Sequence, residues 1–249
     1  MKNNKLIICG GGIIGITIAR EAALTKNFSE IRVIEKDNKL GSHSSTRNSG
    51  VIHSGFYYSP DSQKGKICSI GNKLMREYCI NNNIHIKRCG KVVVTKNETQ
   101  EETLHQLYER GQKNGCDLEI FSKEKLSEYE PLGLTYKKFL WSPNTWSVCP
   151  VELFNSLINE CKSLNIKFSI GEKVISAGSN FIKTSKKKKF YFDYLVNACG
   201  GFSLDIAEKF GIITNYKLLP FKGLYLKSSN KLKIFKRHIY PVPNINQPF

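Results

Sequence analysis

Leu6-Ile7-Ile8-Cys9 runs without a break into Gly10-Gly11-Gly12-Ile13-Ile14-Gly15. The four apolar residues read as a buried strand, and Ile16 to Leu24 continues with helical spacing. A second apolar run, Ile31-Arg32-Val33-Ile34, ends on Glu35, twenty residues after Gly15. The order is strand, glycine turn, helix, strand, acid. Gly10 allows the tight turn, Gly12 lets a pyrophosphate reach the backbone, and Gly15 lets helix and strand pack closely. The helix N-terminus offers unpaired N–H groups and a partial positive charge. Glu35 stands where an acid accepts hydrogen bonds from an adenosine ribose. The stretch predicts a dinucleotide site, with Ile13, Ile14 and Lys36 on its border.

A chain of 249 residues can hold one large domain or two small ones. The net charge is +17, yet only seven of the 38 basic residues are arginine. No arginine–aromatic stripe of the kind that reads nucleic acid is present, so no nucleic-acid partner is expected. The charge reads as a lysine-rich surface, with attraction to an anionic membrane or an acidic substrate as the other reading. Eight cysteines form no CxxC pair and no zinc-ligand spacing, so no metal site is expected. This usage fits a reducing compartment. No apolar run reaches 18 residues, and the central glycines argue against a signal peptide. The expected location is cytoplasmic, with peripheral attachment to the inner face of a membrane as the variant.

Farther along, Ser62 to Asn81 is a helix with Ile67, Ile70, Leu74 and Tyr78 on its inward face. Lys91 to Thr95 is a strand, Thr99 to Lys113 an amphipathic helix, and Tyr136 to Trp141 another strand. Pro150 to Leu164 is a helix, followed by short strands near 167–170, 173–177 and 181–184. Lys186 to Lys189 reads as a solvated hairpin tip. Tyr194 to Asn197 then runs into Gly200-Gly201, a return to the nucleotide-binding sheet. Leu218 to Leu226 and Arg237 to Val242 read as strands of a second domain. The fold class is α/β. A Rossmann-like domain (1–84 and 150–215) interleaves with an α+β substrate domain (85–149 and 216–249) built on an antiparallel sheet.

Ser45-Thr46-Arg47-Asn48-Ser49-Gly50-Val51-Ile52-His53-Ser54-Gly55-Phe56-Tyr57-Tyr58, taken with the glycine fingerprint, resembles the FAD-dependent oxidoreductases of the D-amino-acid oxidase superfamily. Within it the chain is most similar to the L-2-hydroxyglutarate oxidase/dehydrogenase group. Leu107 to Gln112, Pro220 to Tyr225 and Ile239 to Asn244 carry further matches. Three departures stand out: Lys222 replaces the usual Arg, Leu224 the usual Glu, and Thr145-Trp146-Ser147-Val148-Cys149 a Thr-Gly-Ile-Val-Asp segment. Family members extend well past the point where this chain stops at Phe249. The resemblance therefore implies a C-terminally truncated chain, with a separate C-terminal half among its expected partners.

The resemblance implies FAD as cofactor, held by Gly10, Gly12, Ile13, Ile14, Gly15, Glu35, Lys36, Ser44, Ser45, Arg47, Asn48, Ser49, Val174, Ala198 and Gly200. It implies oxidation of a small 2-hydroxy acid, L-2-hydroxyglutarate to 2-oxoglutarate, with oxygen or the quinone pool as electron acceptor. A related enzyme acting on an amino acid or glycerol-3-phosphate, or an inactive fragment, is the alternative. Tyr57, Tyr58, Lys222, Tyr225 and Tyr240 are the candidates for holding substrate carboxylates. Three roles fit His53: general base, packing against the flavin, and covalent attachment of the flavin.

Overall fold

The computed structural model describes residues 4–212, 215–221, 223–226 and 234–244. The chain begins with β1 (Lys5–Cys9), α1 (Ile13–Leu24), β2 (Glu30–Glu35), β3 (Val51–Ile52), α2 (Gln63–Asn81), β4 (Ile86–Lys87) and β5 (Lys91–Val94). It continues with α3 (Glu98–Lys113), β6 (Glu119–Ser122), α4 (Leu126–Tyr129), β7 (Lys138–Ser142), β8 (Trp146–Val148) and α5 (Pro150–Ser163). The last described elements are β9 (Lys167–Ile170), β10 (Val174–Gly178), β11 (Phe181–Thr184), β12 (Lys189–Tyr191), β13 (Tyr194–Asn197), α6 (Ser203–Lys209) and β14 (His238–Pro241).

These elements form two compact units. Unit 1 comprises residues 1–48 and 150–225. Its sheet is parallel, in the order β13-β1-β2-β9. Buried parallel strands need apolar residues on both faces, and Leu6 to Cys9 supplies them. One face carries α1, whose Ile16 and Ala19 are fully buried, and α5 packs on α1. On the other face Ile7, Cys9 and Ile34 cluster with Val174, Ile182 and Ile206 from the β10–β12 meander and α6. Gly10 turns the corner out of β1 at φ +108°, where a side chain would run into the Ala198 carbonyl. A Cβ on Gly15 would strike the Gly10 carbonyl. The helix can start hard against the strand end only because both positions lack a side chain. β1 has β2 on one side and β13 on the other, so the connections part at its C-terminal end. That is the topological switch point where doubly wound sheets bind ligands.

Unit 2 comprises residues 49–149 and 226–249. Its main sheet has the order β14-β5-β7-β6. β5, β7 and β6 pair antiparallel, as expected, but β14 runs parallel to β5. A parallel neighbour needs a long connection, and the excursion through unit 1 provides one. Val93 and Leu140 share one face with Leu104 and Leu107 of α3 and with Phe56. Val92, Val94 and Phe139 pack with Leu126 on the other. α3 is well terminated: Asn97 caps it by accepting from the Gln100 N–H at 3.1 Å, with Glu98 and Glu101 in its first turn and Arg110 and Lys113 in its last. A small antiparallel sheet, β3-β8-β4, completes the unit.

Three expectations from sequence need correcting. The compact units exchange chain after Asn48, not after residue 84, because β3 pairs with β8 and α2 packs on β3 and β4, and again after Tyr225, not after residue 215. The inward face of α2 is not the Ile67/Ile70/Leu74 stripe: these side chains are each more than half exposed, while Gly65, Asn72 and Cys79 are buried. Asn72 must face inward because its amide donates to the carbonyls of Ile52, His53 and Asn144. This polar anchoring outweighs the apolar stripe. The described part of Leu218 to Leu226 forms no strand, and Leu219, Phe221 and Leu224 are exposed. Pro220 removes a ladder donor from its centre. Leu104→Ala should therefore cost about 2–5 kcal/mol in urea unfolding. Leu74→Ala should cost less than about 0.5 kcal/mol. The reverse order would restore the inward reading of the stripe.

Candidate functional site

Unit 1 holds a cavity of about 840 Å³ at the C-terminal ends of β1 and β13. Gly10, Gly12, Ile13, Ile14, Glu35 and Lys36 line it, together with Ser44 and Ser45 from the turn after β2. Val174, Ala198 and Gly200 line it from the later segment. α1 enters this space with Gly12 at its N-cap, no side-chain cap and no acid in its first turn. Its amide dipoles thus point toward the cavity with no carboxylate from the helix itself to neutralise them. The volume is ample for a nucleotide cofactor, and the glycine corner keeps side chains off the approach to the helix end. The residues present fit a dinucleotide.

Two polar groups already hold this corner. Glu35 is buried; its Oε2 accepts from the Gly11 N–H at 2.7 Å and its Oε1 from the Asp37 N–H at 2.9 Å. The acid that the sequence reserves for a ribose therefore also staples the glycine turn, and each oxygen keeps a second lone pair. Ser45 Oγ accepts from the Ile13 N–H at 2.9 Å. Asn48 closes the same turn by donating to the carbonyls of Ser44 and Ser45 at 3.0 and 3.1 Å. Gly15 packs against β1 and does not line the cavity. Arg47, Asn48 and Ser49 are exposed and do not line it either. The sequence reading missed Phe202, on the cavity wall. Lys36 Nζ lies 3.6 Å from its ring centroid, and the His43 ring packs edge-on at 5.7 Å. The bulky residue straight after Gly200-Gly201 was the available signal.

In unit 2 the segment from Gly50 to Tyr58 is fixed through its backbone. Asn114, at the end of α3, donates to the carbonyls of Gly55 and Tyr58 at 3.1 and 2.9 Å. The Cys116 thiol donates to the Ser54 carbonyl, and the Ser54, Ser142 and Thr145 hydroxyls form a buried cluster. Gly111 lets α3 approach so closely that a side chain there would collide with Leu118 and Phe56. These contacts set the positions of His53 and Tyr57. Tyr58 is half-buried, with Lys64 Nζ 5.5 Å from its ring centroid. Tyr225 lies in unit 1 and is largely exposed; Lys222 lies outside the described residues.

The sheet adds groups that the sequence reading passed over. Lys91 on β5 stands in register with His238 on β14, and Tyr240 follows His238 on the same face. Lys91 is fully buried, with its Nζ 3.9 Å from the Tyr240 ring centroid and 5.0 Å from that of Tyr57. Among the described residues, Lys91 Nζ, Tyr57 Oη and His238 Nε2 are buried without a hydrogen-bond partner. Burial lowers the Lys91 ammonium from 10.5 to about 8. Burial, then the positive charge of Lys91 and the nearby His238, lower the His53 imidazole from 6.5 to about 4. Burial, with Tyr240 beside it, pushes the Tyr57 phenol well above its ordinary value. His53 is therefore neutral at physiological pH, with one nitrogen open to a proton.

Between pH 6.5 and 4 the unfolded chain takes up a proton at His53 that the folded chain refuses. The stability present above pH 6.5 is lost as pH falls toward 4, by up to about 3 kcal/mol from this group. His53→Gln should flatten that part of the pH dependence measured by urea unfolding. An unchanged acid limb would show that His53 titrates normally in the folded protein.

A family model described as DAO, FAD dependent oxidoreductase, matches residues 5–249. L-2-hydroxyglutarate dehydrogenase, mitochondrial, of Nematostella vectensis is 35% identical over 97% of this chain and 57% of its own length. The Homo sapiens protein of the same name is 32% identical over 98% of this chain and 56% of its own. The chain thus spans a little over half the length of these curated relatives. Among solved structures, L-alpha-glycerophosphate oxidase from Mycoplasma pneumoniae with FAD bound superposes with a TM-score of 0.77 at 20% identity, over 98% of this chain and 66% of that one. L-proline dehydrogenase from P. horikoshii gives 0.76 at 23%, over 86% and 57%. At such identities the structures speak for the fold, and the family match speaks for descent: the chain belongs to the DAO family of FAD-dependent oxidoreductases.

Proposed function

We propose that this protein oxidises a small 2-hydroxy acid, L-2-hydroxyglutarate before others, to the 2-oxo acid. The identity of 35% with a relative of that name, along almost the whole chain, carries the reading. FAD in the cavity of unit 1 would be held with its pyrophosphate toward the N-terminus of α1 and its adenosine ribose toward Glu35. Val174 and Gly200 on the cavity wall would meet the adenine and the pyrophosphate. Bound FAD supplies the acceptor for the hydride leaving the substrate Cα.

The chain's own residues manage the substrate and one proton. The unprotonated imidazole nitrogen of His53 takes the hydroxyl proton as the Cα–H bond breaks. Its neutral state supports that role, and its backbone is held by the Asn72 amide at 3.2 Å. Tyr57, Tyr58 and Tyr240 offer hydroxyls to substrate carboxylates. Among the described residues no helix is long and apolar enough to cross a membrane. Oxygen or a quinone serves as the electron acceptor, the latter met at a membrane surface.

Anaerobic addition of L-2-hydroxyglutarate should bleach the flavin absorbance of the purified holoprotein, while glycerol-3-phosphate and amino acids leave it unchanged. Bleaching by either control alone would move the enzyme to that substrate. His53→Ala should cut turnover by about 10²–10⁴-fold and leave flavin content near that of the parent. Equal losses in both would remove the base assignment.

A further inference from the structure

We propose that Lys91 is the carboxylate anchor of the substrate site, its ammonium binding one carboxylate of a small organic acid together with the Tyr57 hydroxyl. The proposal deepens the functional reading above and rests on it for the substrate class. It stands on the geometry of unit 2. Lys91 is 0% exposed, and no acceptor reaches its Nζ among the described residues. An ammonium carries three donors and no acceptor. The rings of Tyr240 and Tyr57, at 3.9 and 5.0 Å, solvate it through their faces but satisfy no N–H in the manner of an oxygen.

The two histidines near it bring no negative charge to balance it. His53 and His238 both respond to the Lys91 charge, and His238 also to Lys87. Cys89, on the adjoining turn, works the other way and favours the charged lysine, but less than burial disfavours it. The described ion pairs include none to Lys91. A buried positive charge without a counter-ion is costly, and ordinary cores pair such charges or replace them. Tyr57 adds a second buried donor without a partner, and its raised pKa keeps the proton on the oxygen. Two neighbouring, unsatisfied buried donors beside aromatic rings match the chemistry of a carboxylate: one oxygen for the ammonium, one for the phenol.

The reach to His53 gives the anchor a second consequence. A carboxylate on Lys91 cancels the charge that helps to depress the His53 imidazole. Substrate binding then makes His53 a better proton acceptor, although burial keeps part of the depression. Lys91 would thereby couple recognition of the acid to readiness of the base.

The test compares Lys91→Met and Lys91→Arg with the parent holoprotein, using glutarate as a non-reacting dicarboxylate and glutaramide as its neutral control. Calorimetry should show Lys91→Met weakening glutarate about 10- to 100-fold, with Lys91→Arg recovering part of the loss and glutaramide unaffected. Because Met removes the uncompensated charge at similar volume, its Tm without ligand should rise by about 2–4 °C. Glutarate affinity within twofold of the parent in Lys91→Met would overturn the proposal, as would a parent that does not bind glutarate. A lower Tm in Lys91→Met with unchanged glutarate binding would assign the lysine to cation–π packing instead. Lys91-dependent glutarate binding in a protein whose flavin is reduced only by glycerol-3-phosphate would sink the 2-hydroxy-acid reading while leaving the anchor in place.

Discussion

The contact between Gly15 and the Gly10 carbonyl is the constraint on which unit 1 depends. It lets α1 begin against the end of β1, with no side chain between helix and strand. The start of the helix then borders the cavity. Every feature assigned to the cofactor follows from that placement. Glu35 can reach back to the Gly11 N–H, Ser45 can reach the Ile13 N–H, and β13 delivers Ala198 and Gly200 to the far wall. A side chain at either glycine would have to push the helix away from the strand, and the cavity would lose its electrostatic floor.

Unit 2 solves a different problem. It must hold polar groups in place without satisfying them. The segment carrying His53 and Tyr57 is pinned through its carbonyls by Asn72, Asn114 and Cys116, while Phe56 and Ser54 from the same segment pack and bond in the interior. Lys91 is the extreme case. A well-packed sheet carries an uncompensated ammonium in register with a histidine. Local rules broken without an evident structural return mark sites where stability has been exchanged for function.

The sequence disclosed unit 1 well because its chemistry is local. Strand, glycines, helix and acid lie within Lys5 to Glu35, and each is read by spacing alone. Unit 2 was less legible because its site is assembled from distant segments. Lys91 opens a Val-Val-Val strand and, by pattern, looks like an exposed strand end; only the pairing of β5 with β14 shows that it is enclosed. The α2 stripe misled for a related reason. An apolar periodicity takes no account of Asn72, whose amide holds three carbonyls from two segments. The described part of Leu218 to Leu226 has strand-like composition but belongs to none of the described sheets. Glu35 stands on the cavity wall, and its bond to Gly11 could not be inferred from spacing.

The central claim is that the N-terminal turn of α1 binds the pyrophosphate of FAD. The most direct measurement is a titration of the ¹⁵N-labelled chain with FAD, following backbone amides and flavin fluorescence together. The account predicts that the amide signals of Gly12, Ile13 and Ile14 shift in step with the change in flavin fluorescence. Flavin binding that leaves those three amides unmoved would contradict it.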